Sequence, residues 1–198
     1  ESGYGSPLKA RVTDAYGNAV AGATVTFAVP SSGASVRFAG GVATAVTGTD
    51  GVATSAALTA NAVAGGVTIT ASTPGASTAA FSLANTAAAA QTLSATGGGG
   101  QSATVATAFG QPLRARATDA YGNPVPGVTV TFVVPGSGAS ASLAGGTTTA
   151  VTAADGVATS AALTAGTVAG GFTITASADR KSTRLNSSHA NISYAVFC

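Results

Sequence analysis

The sequence repeats itself. PLKARVTDAYGNAVAGATVTFAVPSSGAS from Pro7 aligns without a gap to PLRARATDAYGNPVPGVTVTFVVPGSGAS from Pro112, and TDGVATSAALTA from Thr49 aligns to ADGVATSAALTA from Ala154. Both blocks are offset by 105 residues. A repeat that long holds a whole domain rather than one turn of a solenoid, so whatever the first copy folds into, the second does too. The stretch NTAAAA at 85–90 lacks any alternation and separates the copies. The expected domains are therefore 1–86 and 87–178.

Within each copy, apolar side chains fall on every second residue. Leu8, Ala10 and Val12 alternate with Lys9, Arg11 and Thr13; Ala23, Val25, Phe27 and Val29 alternate with Thr24, Thr26 and Ala28; Val128, Val130, Phe132 and Val134 repeat the pattern. A period of two marks a strand with one buried face. Further strands are expected at 34–38, 42–47, 52–58, 67–71 and 79–83. Their Thr and Val content favours a pleated surface over a helix, because β-branched side chains are stiff at χ1. Tyr16-Gly17-Asn18 and Tyr121-Gly122-Asn123 mark turns, and Asp50-Gly51 and Asp155-Gly156 are pairs that suit a tight hairpin. Seven or so short strands at this spacing predict an all-β fold of two sandwiches.

Charged residues make up only 7% of the 198, and Met and Trp are absent. Thr, Ser and Gly interrupt every apolar stretch before it could span a bilayer as a helix, so no direct membrane insertion is expected. The chain starts in mid-pattern at Glu1 without an initiator Met, as expected of a fragment of something longer. Cys198 is the single cysteine, which leaves no disulfide framework and no thiolate metal cluster within one chain.

Residues 179–198 read DRKSTRLNSSHANISYAVFC and differ in kind from what precedes them. They hold Arg180, Lys181 and Arg184 of the eight basic residues, the only histidine (His189) and the only cysteine. The run DRKSTRLNSSH at 179–189 is identical to a one-frame translation of a common short-read sequencing adapter, so 179–198 is expected to be a non-native tail. Ahead of it, Lys9, Arg11, Arg37, Arg114 and Arg116 balance Glu1, Asp14, Asp50, Asp119 and Asp155. The formal charge of +2 thus belongs to the tail, and nucleic acid is not an expected partner.

Few residues invite chemistry. Asp14, Asp50, Asp119 and Asp155 would be the carboxylates of a paired-acid or calcium site. Each instead sits in a Gly-containing turn motif, where Asp caps its own backbone, and no D-x-D-x-D-G ligand run exists. The pairs Lys9/Arg11 and Arg114/Arg116 would face outward together, able to meet an anionic glycan or phosphate, but more simply forming a solvated face that discourages edge pairing. The glycine run at 97–100 lacks the Lys-Ser/Thr sequel of a phosphate loop and reads as a flexible loop. Without a histidine in 1–178, a Ser-His-Asp enzyme is impossible there. The expectation is no catalytic residue, no cofactor and no metal.

TDAYGNPVPGVTVTF, DGVATSAALTA and AGGFTITA together resemble the bacterial immunoglobulin-like repeats of the invasin/intimin adhesin group, over Pro7 to about Ala178. The resemblance implies immunoglobulin-like Greek-key β-sandwiches stacked as a stalk on the outside of a bacterial outer membrane. Its partners would be neighbouring Ig-like repeats, with any host-cell receptor or surface glycan met through other domains. An accessory carbohydrate- or surface-binding module of a secreted enzyme or phage tail protein is the alternative. Both copies look cut. The stretch 91–111 has almost no counterpart before Pro7, and 79–83 has none after Ala178. Losing that last strand should cost copy two several kcal/mol, at about 1.5–3 kcal/mol for each large side chain, unless Ile192, Tyr194 and Val196 fill the edge.

Overall fold

The computed structural model describes residues 2–179 and 191–197. The chain divides into two compact units, Glu1–Thr86 and Ala87–Cys198. Both are built from antiparallel strands around one apolar core each.

In the first unit, β1 (Lys9–Arg11) pairs with β5 (Val52–Thr54), and β3 (Val36–Phe38) pairs with β6 (Leu58–Ala60). Against them lies a four-stranded sheet in the order β4 (Thr44–Val46), β2 (Thr24–Ala28), β7 (Gly65–Ser72), β8 (Ala79–Asn85). The period of two becomes burial directly: Val25 and Phe27 are buried while Thr24, Thr26 and Ala28 between and around them are exposed. Phe27 stands at the centre of the slab, with ring centroids 6.0 Å from Phe38 on β3 and 6.3 Å from Phe81 on β8. Leu8, Ala10, Ala53 and Leu58 close the core from one layer, and Val67, Ile69 and Ala71 from the other.

The second unit repeats this plan. Strands β10 (Arg114–Thr118), β11 (Thr129–Val133), β12 (Ala141–Leu143), β13 (Thr149–Val151), β14 (Val157–Thr159) and β15 (Leu163–Ala165) fall at the 105-residue offset from β1 to β6. The sheet orders are β14-β10-β9, β12-β15 and β13-β11-β16-β17, where β9 is Thr92–Gly97, β16 is Thr173–Asp179 and β17 is Asn191–Phe197. Leu93, Leu113, Val130, Phe132, Leu163 and Ile174 are completely or almost completely buried between them.

Two local expectations change. The stretch 52–58 is not one strand but two, β5 and β6, in different sheets. The break falls at Ser55, whose Oγ accepts the N–H of Leu8 at 2.9 Å and donates to the carbonyl of Ala56 at 2.9 Å. Ser55 N–H also donates to the Leu8 carbonyl at 2.8 Å, so the serine stitches the chain to β1 where the ladder ends. Asp50-Gly51 and Asp155-Gly156 do not close hairpins either, since β4 and β5 belong to opposite sheets, as do β13 and β14. They close turns that carry the chain across the sandwich. Buried Thr47 holds that crossing: its Oγ1 accepts from Ala23 N–H at 2.9 Å and donates to the Val20 carbonyl at 2.7 Å. Ser160 and Thr152 do the same in the second unit.

At the ends, the condition set for the second copy is met. The edge beside β16 is filled, by β17. Its register sets Ile192, Tyr194 and Val196 opposite Ala178, Ala176 and Ile174, the three buried residues of β16. An extended segment with apolar residues at the right parity is enough to pair there. The pairing is not a copy of β8: Ile69 faces Phe81 at the repeat's own spacing, whereas Ile174 faces Val196. At the other end, residues just after Glu1 do have counterparts, because Gly3 bridges Thr59 as Ala108 bridges Thr164. Only β9 has no equivalent among the described residues of the first unit.

Two substitutions test this account. Phe132→Ala should destabilise the second unit by about 3–5 kcal/mol, the range for emptying a core aromatic site. Ser160→Ala should cost about 1–3 kcal/mol by stranding the buried N–H of Leu113. Urea unfolding followed by far-UV circular dichroism reads both.

Candidate functional site

Asp14 and Asp119 each organise one turn. Asp14 Oδ1 accepts the backbone N–H of Tyr16 and of Asn18, both at 2.9 Å, and Oδ2 accepts Asn18 Nδ2 at 2.9 Å. Asp119 repeats these bonds with Tyr121 and Asn123. It also has one partner that Asp14 lacks: Ala88 N–H donates to its Oδ2 at 3.0 Å. The environments differ accordingly, Asp14 being exposed and Asp119 only 3% exposed. The Asn18 side chain leads the group of hydrogen bonds that holds the Asp14 carboxyl below its ordinary pKa. For Asp119, burial pushes the pKa up. The hydrogen bonds from the Asn123 side chain and from the Ala88, Asn123 and Tyr121 backbone together outweigh it, so the net direction is again down. Asp14 spends its lone pairs on its own turn, and Asp119 divides its own between its turn and Ala88.

Asp50 and Asp155 behave alike, accepting Val52 N–H and Val157 N–H at 3.0 Å. The glycine after each is obligatory. Gly51 and Gly156 have φ of 74° and 75°, and a Cβ there would stand 2.7 Å from the carbonyl oxygens of Val12 and Ala117. Among the described residues, no three of His, Cys, Asp and Glu come together.

The cationic residues follow the alternation: Lys9 and Arg11 are exposed on either side of buried Ala10. In the second unit Arg114 is exposed but Arg116 is half-buried. The glycine run at 97–100, read as a flexible loop, is instead tied down. Gln101 Nε2 donates to the carbonyls of Gly98 at 2.7 Å and Gln111 at 2.8 Å, and its Oε1 accepts Gln111 N–H at 2.7 Å. Tyr16 and Tyr121, at the turn tips, are exposed.

Sequence reasoning missed a polar cluster at the end of the first unit. Buried Asn85, the last residue of β8, donates from Nδ2 to the Ser35 carbonyl at 3.0 Å, Asn61 Oδ1 at 2.9 Å and the Val63 carbonyl at 3.0 Å. Its Oδ1 accepts the Tyr4 hydroxyl at 2.5 Å. Asn61 in turn holds Ser35 N–H and the Gly33 carbonyl. The only signal in the sequence was an asparagine closing a strand pattern, and its partners lie up to 81 residues away. The cluster satisfies backbone groups of Gly33, Ser35 and Val63.

Residues 111–192 match the family model of the bacterial Ig-like domain (group 1). No curated protein matches the chain in sequence. Among solved structures, the chain is similar to the Escherichia coli adhesin FdeC, at 24% identity over 96% of this chain and 58% of that one, with a TM-score of 0.46. It is also similar to invasin, described as a bacterial integrin-binding protein, at 22% identity over 95% of this chain and 36% of that one, with a TM-score of 0.36. The Yersinia pseudotuberculosis adhesin InvE follows at 18% identity, over 95% and 53% of the two chains, with a TM-score of 0.39. The chain spans less than two thirds of each of these solved chains.

Asp119 gives a pH dependence with a definite sign. Its folded pKa lies below the ordinary 3.8, so its contribution is fully present above that value and is lost as the pH falls through the folded one. Thermal melts between pH 7 and pH 2 should hold level and then decline below about pH 4, and Asp119→Asn should flatten the decline. Asp119→Ala should cost about 1–3 kcal/mol at neutral pH, and more than Asp14→Ala.

Proposed function

We propose that this chain, whose second repeat is a bacterial Ig-like domain (group 1), serves as a spacer in a bacterial surface adhesin. Its job is to hold a binding domain, supplied by another part of the protein, at a distance from the cell. Its direct partners are neighbouring Ig-like repeats, and any host receptor or surface glycan is met elsewhere in the protein. It works by geometry and not by catalysis, outside the cell. The stretch 179–198 carries no part of this reading.

One observation supports it above the rest. The chain is anchored on both sides of the join between repeats. Asn85 is fixed inside the first unit by its bonds to Ser35, Asn61 and Val63. Ala88 is fixed to Asp119 and Gln91 N–H to the Thr118 carbonyl inside the second. Only residues 86 and 87 lie between the two anchors. A spacer needs a join too short to act as a free hinge, because loose linkers let domains move independently. The carboxylates, meanwhile, are taken up by backbone and Asn donors, which argues against an enzyme.

Small-angle scattering of the full chain tests the reading. Inserting Gly-Ser between Thr86 and Ala87 should broaden the pair-distance distribution. Equal, broad distributions for both would refute the spacer.

A further inference from the structure

Every lysine and arginine of residues 2–178 lies on the outer face of the same layer in its unit. In the first unit Lys9 and Arg11 project from β1 on either side of buried Ala10, and Arg37 projects from β3 between buried Val36 and Phe38. In the second, Arg114 and Arg116 project from β10 on either side of buried Ala115. The four-stranded sheets carry no lysine or arginine, and the outer positions of the first are residues such as Thr24, Thr26 and Val46. Alternation sends a charged side chain outward, but it does not choose between the two layers. The acids are elsewhere: Asp14, Asp50, Asp119 and Asp155 sit in turns, with oxygens held by N–H donors. A sequence whose charges balance ahead of residue 179 thus presents one layer face whose charges are all positive.

Edge protection does not explain the placement. Charges discourage pairing at an open edge, whereas β10 is flanked by β14 on one side and β9 on the other. Arg114 and Arg116 therefore stand on the middle strand of their sheet, about 7 Å apart along it. Thr159 and Val157 are their partners on β14, and Gly97 and Ser94 on β9. Gly97 gives Arg114 room, since a Cβ there would lie 3.6 Å from the arginine Cδ: the aliphatic stem crosses the glycine. Neither guanidinium has an ion-pair partner among the described residues, and the Nε of Arg116 is enclosed without a hydrogen-bond acceptor. A buried N–H left unpaired is costly, more so on a charged group, and an acceptor brought by a ligand removes that cost.

We propose that this face binds a polysaccharide carrying sulfate or phosphate groups, held in the second unit by Arg114 and Arg116 and in the first by Lys9, Arg11 and Arg37. An oxyanion between the two guanidiniums gives the Arg116 N–H its acceptor. Arg116 lifts from the sheet to present its Nε–Nη edge, the fork that matches two oxygens of a tetrahedral anion. The neighbouring hydroxyls suit sugar: Ser94 and Thr159 beside the arginines, and Thr54 and Thr59 opposite Lys9 and Arg37. Nucleic acid fits less well. Its single-stranded grooves interleave aromatic rings with cations, and the strand segments of this face offer an aromatic ring only at Phe38, which is turned into the core. The inference goes beyond the spacer reading, which places glycan contacts in other parts of the protein: here the repeat itself makes one.

The full chain is tested by isothermal titration with heparin, with a phosphomannan and with single-stranded DNA. Three variants accompany it: Arg114→Gln with Arg116→Gln; Lys9→Gln with Arg11→Gln and Arg37→Gln; and, as a control for the tail, Arg180→Gln with Lys181→Gln and Arg184→Gln. Far-UV circular dichroism checks that each is folded, and two independent strand variants guard against the loss of one. The parent should bind heparin or phosphomannan, whichever is preferred naming sulfate or phosphate as the anion. Each strand variant should bind it about tenfold more weakly or worse, with a shallower dependence on salt, while the tail variant binds as the parent does. Absence of binding to both polysaccharides overturns the proposal, as does binding that survives in both strand variants or is lost in the tail variant. DNA bound as tightly as the preferred polysaccharide also overturns it, because the face would then be answering to charge alone. Scattering reports the join at 86–87 and titration reports this face, so the two readings fail separately.

Discussion

Each unit depends on a thin apolar slab shared by two layers of strands. Phe27 and Phe132 are almost fully buried in it, and much of the rest of the core is small or branched: Ala10, Ala53, Val25 and Ile69 in one unit, and Ala115, Ala158, Val130 and Ile174 in the other. Small side chains let two sheets approach to the usual sandwich spacing with strands of only three to eight residues. The outer faces are left to Thr, Ser and single exposed valines such as Val46 and Val151. With so few charges in the sequence, the folded state owes little to ion pairs and most of its stability to this slab.

So thin a core leaves the crossing segments with backbone groups that no ladder satisfies. Hydroxyls and carboxylates fill the gap. Ser55 and Ser160 close the ends of β1 and β10, Thr47 and Thr152 hold the chain as it changes sheet, and the four aspartates each bind N–H groups of their own turns. A buried N–H without a partner costs more than the bond that satisfies it appears to gain, so these side chains are committed to structure. The same commitment holds at Asp14 and Asp119. Their oxygens are already surrounded by donors.

The repeat makes the protein its own control. DAYGN occurs twice with the same internal turn, yet Asp119 is buried and bound to Ala88 while Asp14 is not. The difference comes from the segment 85–97, which leaves the first unit through the Asn85 cluster and enters the second as β9. One short stretch therefore closes the first unit at the Asn85 cluster and opens the second with β9, whose Leu93 joins that unit's core. Identical local sequence in two settings shows how much of a residue's environment is set by strands distant in the chain.

Period-two alternation in segments such as Leu8 to Val12 and Thr24 to Ala28, with Gly at turns that need positive φ, fixed strand identity, the buried face and the two-copy organisation. Those are local properties, carried by neighbouring residues and by the conformational limits of each residue type. Which sheet a strand joins was not legible: 52–58 looked continuous and Asp50-Gly51 looked like a hairpin. Alternation is identical whether a strand continues its own sheet or crosses to the opposite one. Only the bonds of Ser55 to Leu8 and of Thr47 to Val20 and Ala23 decide it. The Asn85 cluster was equally hidden, because it is defined by residues that meet across the fold, and long-range contact leaves no mark in the spacing of a sequence.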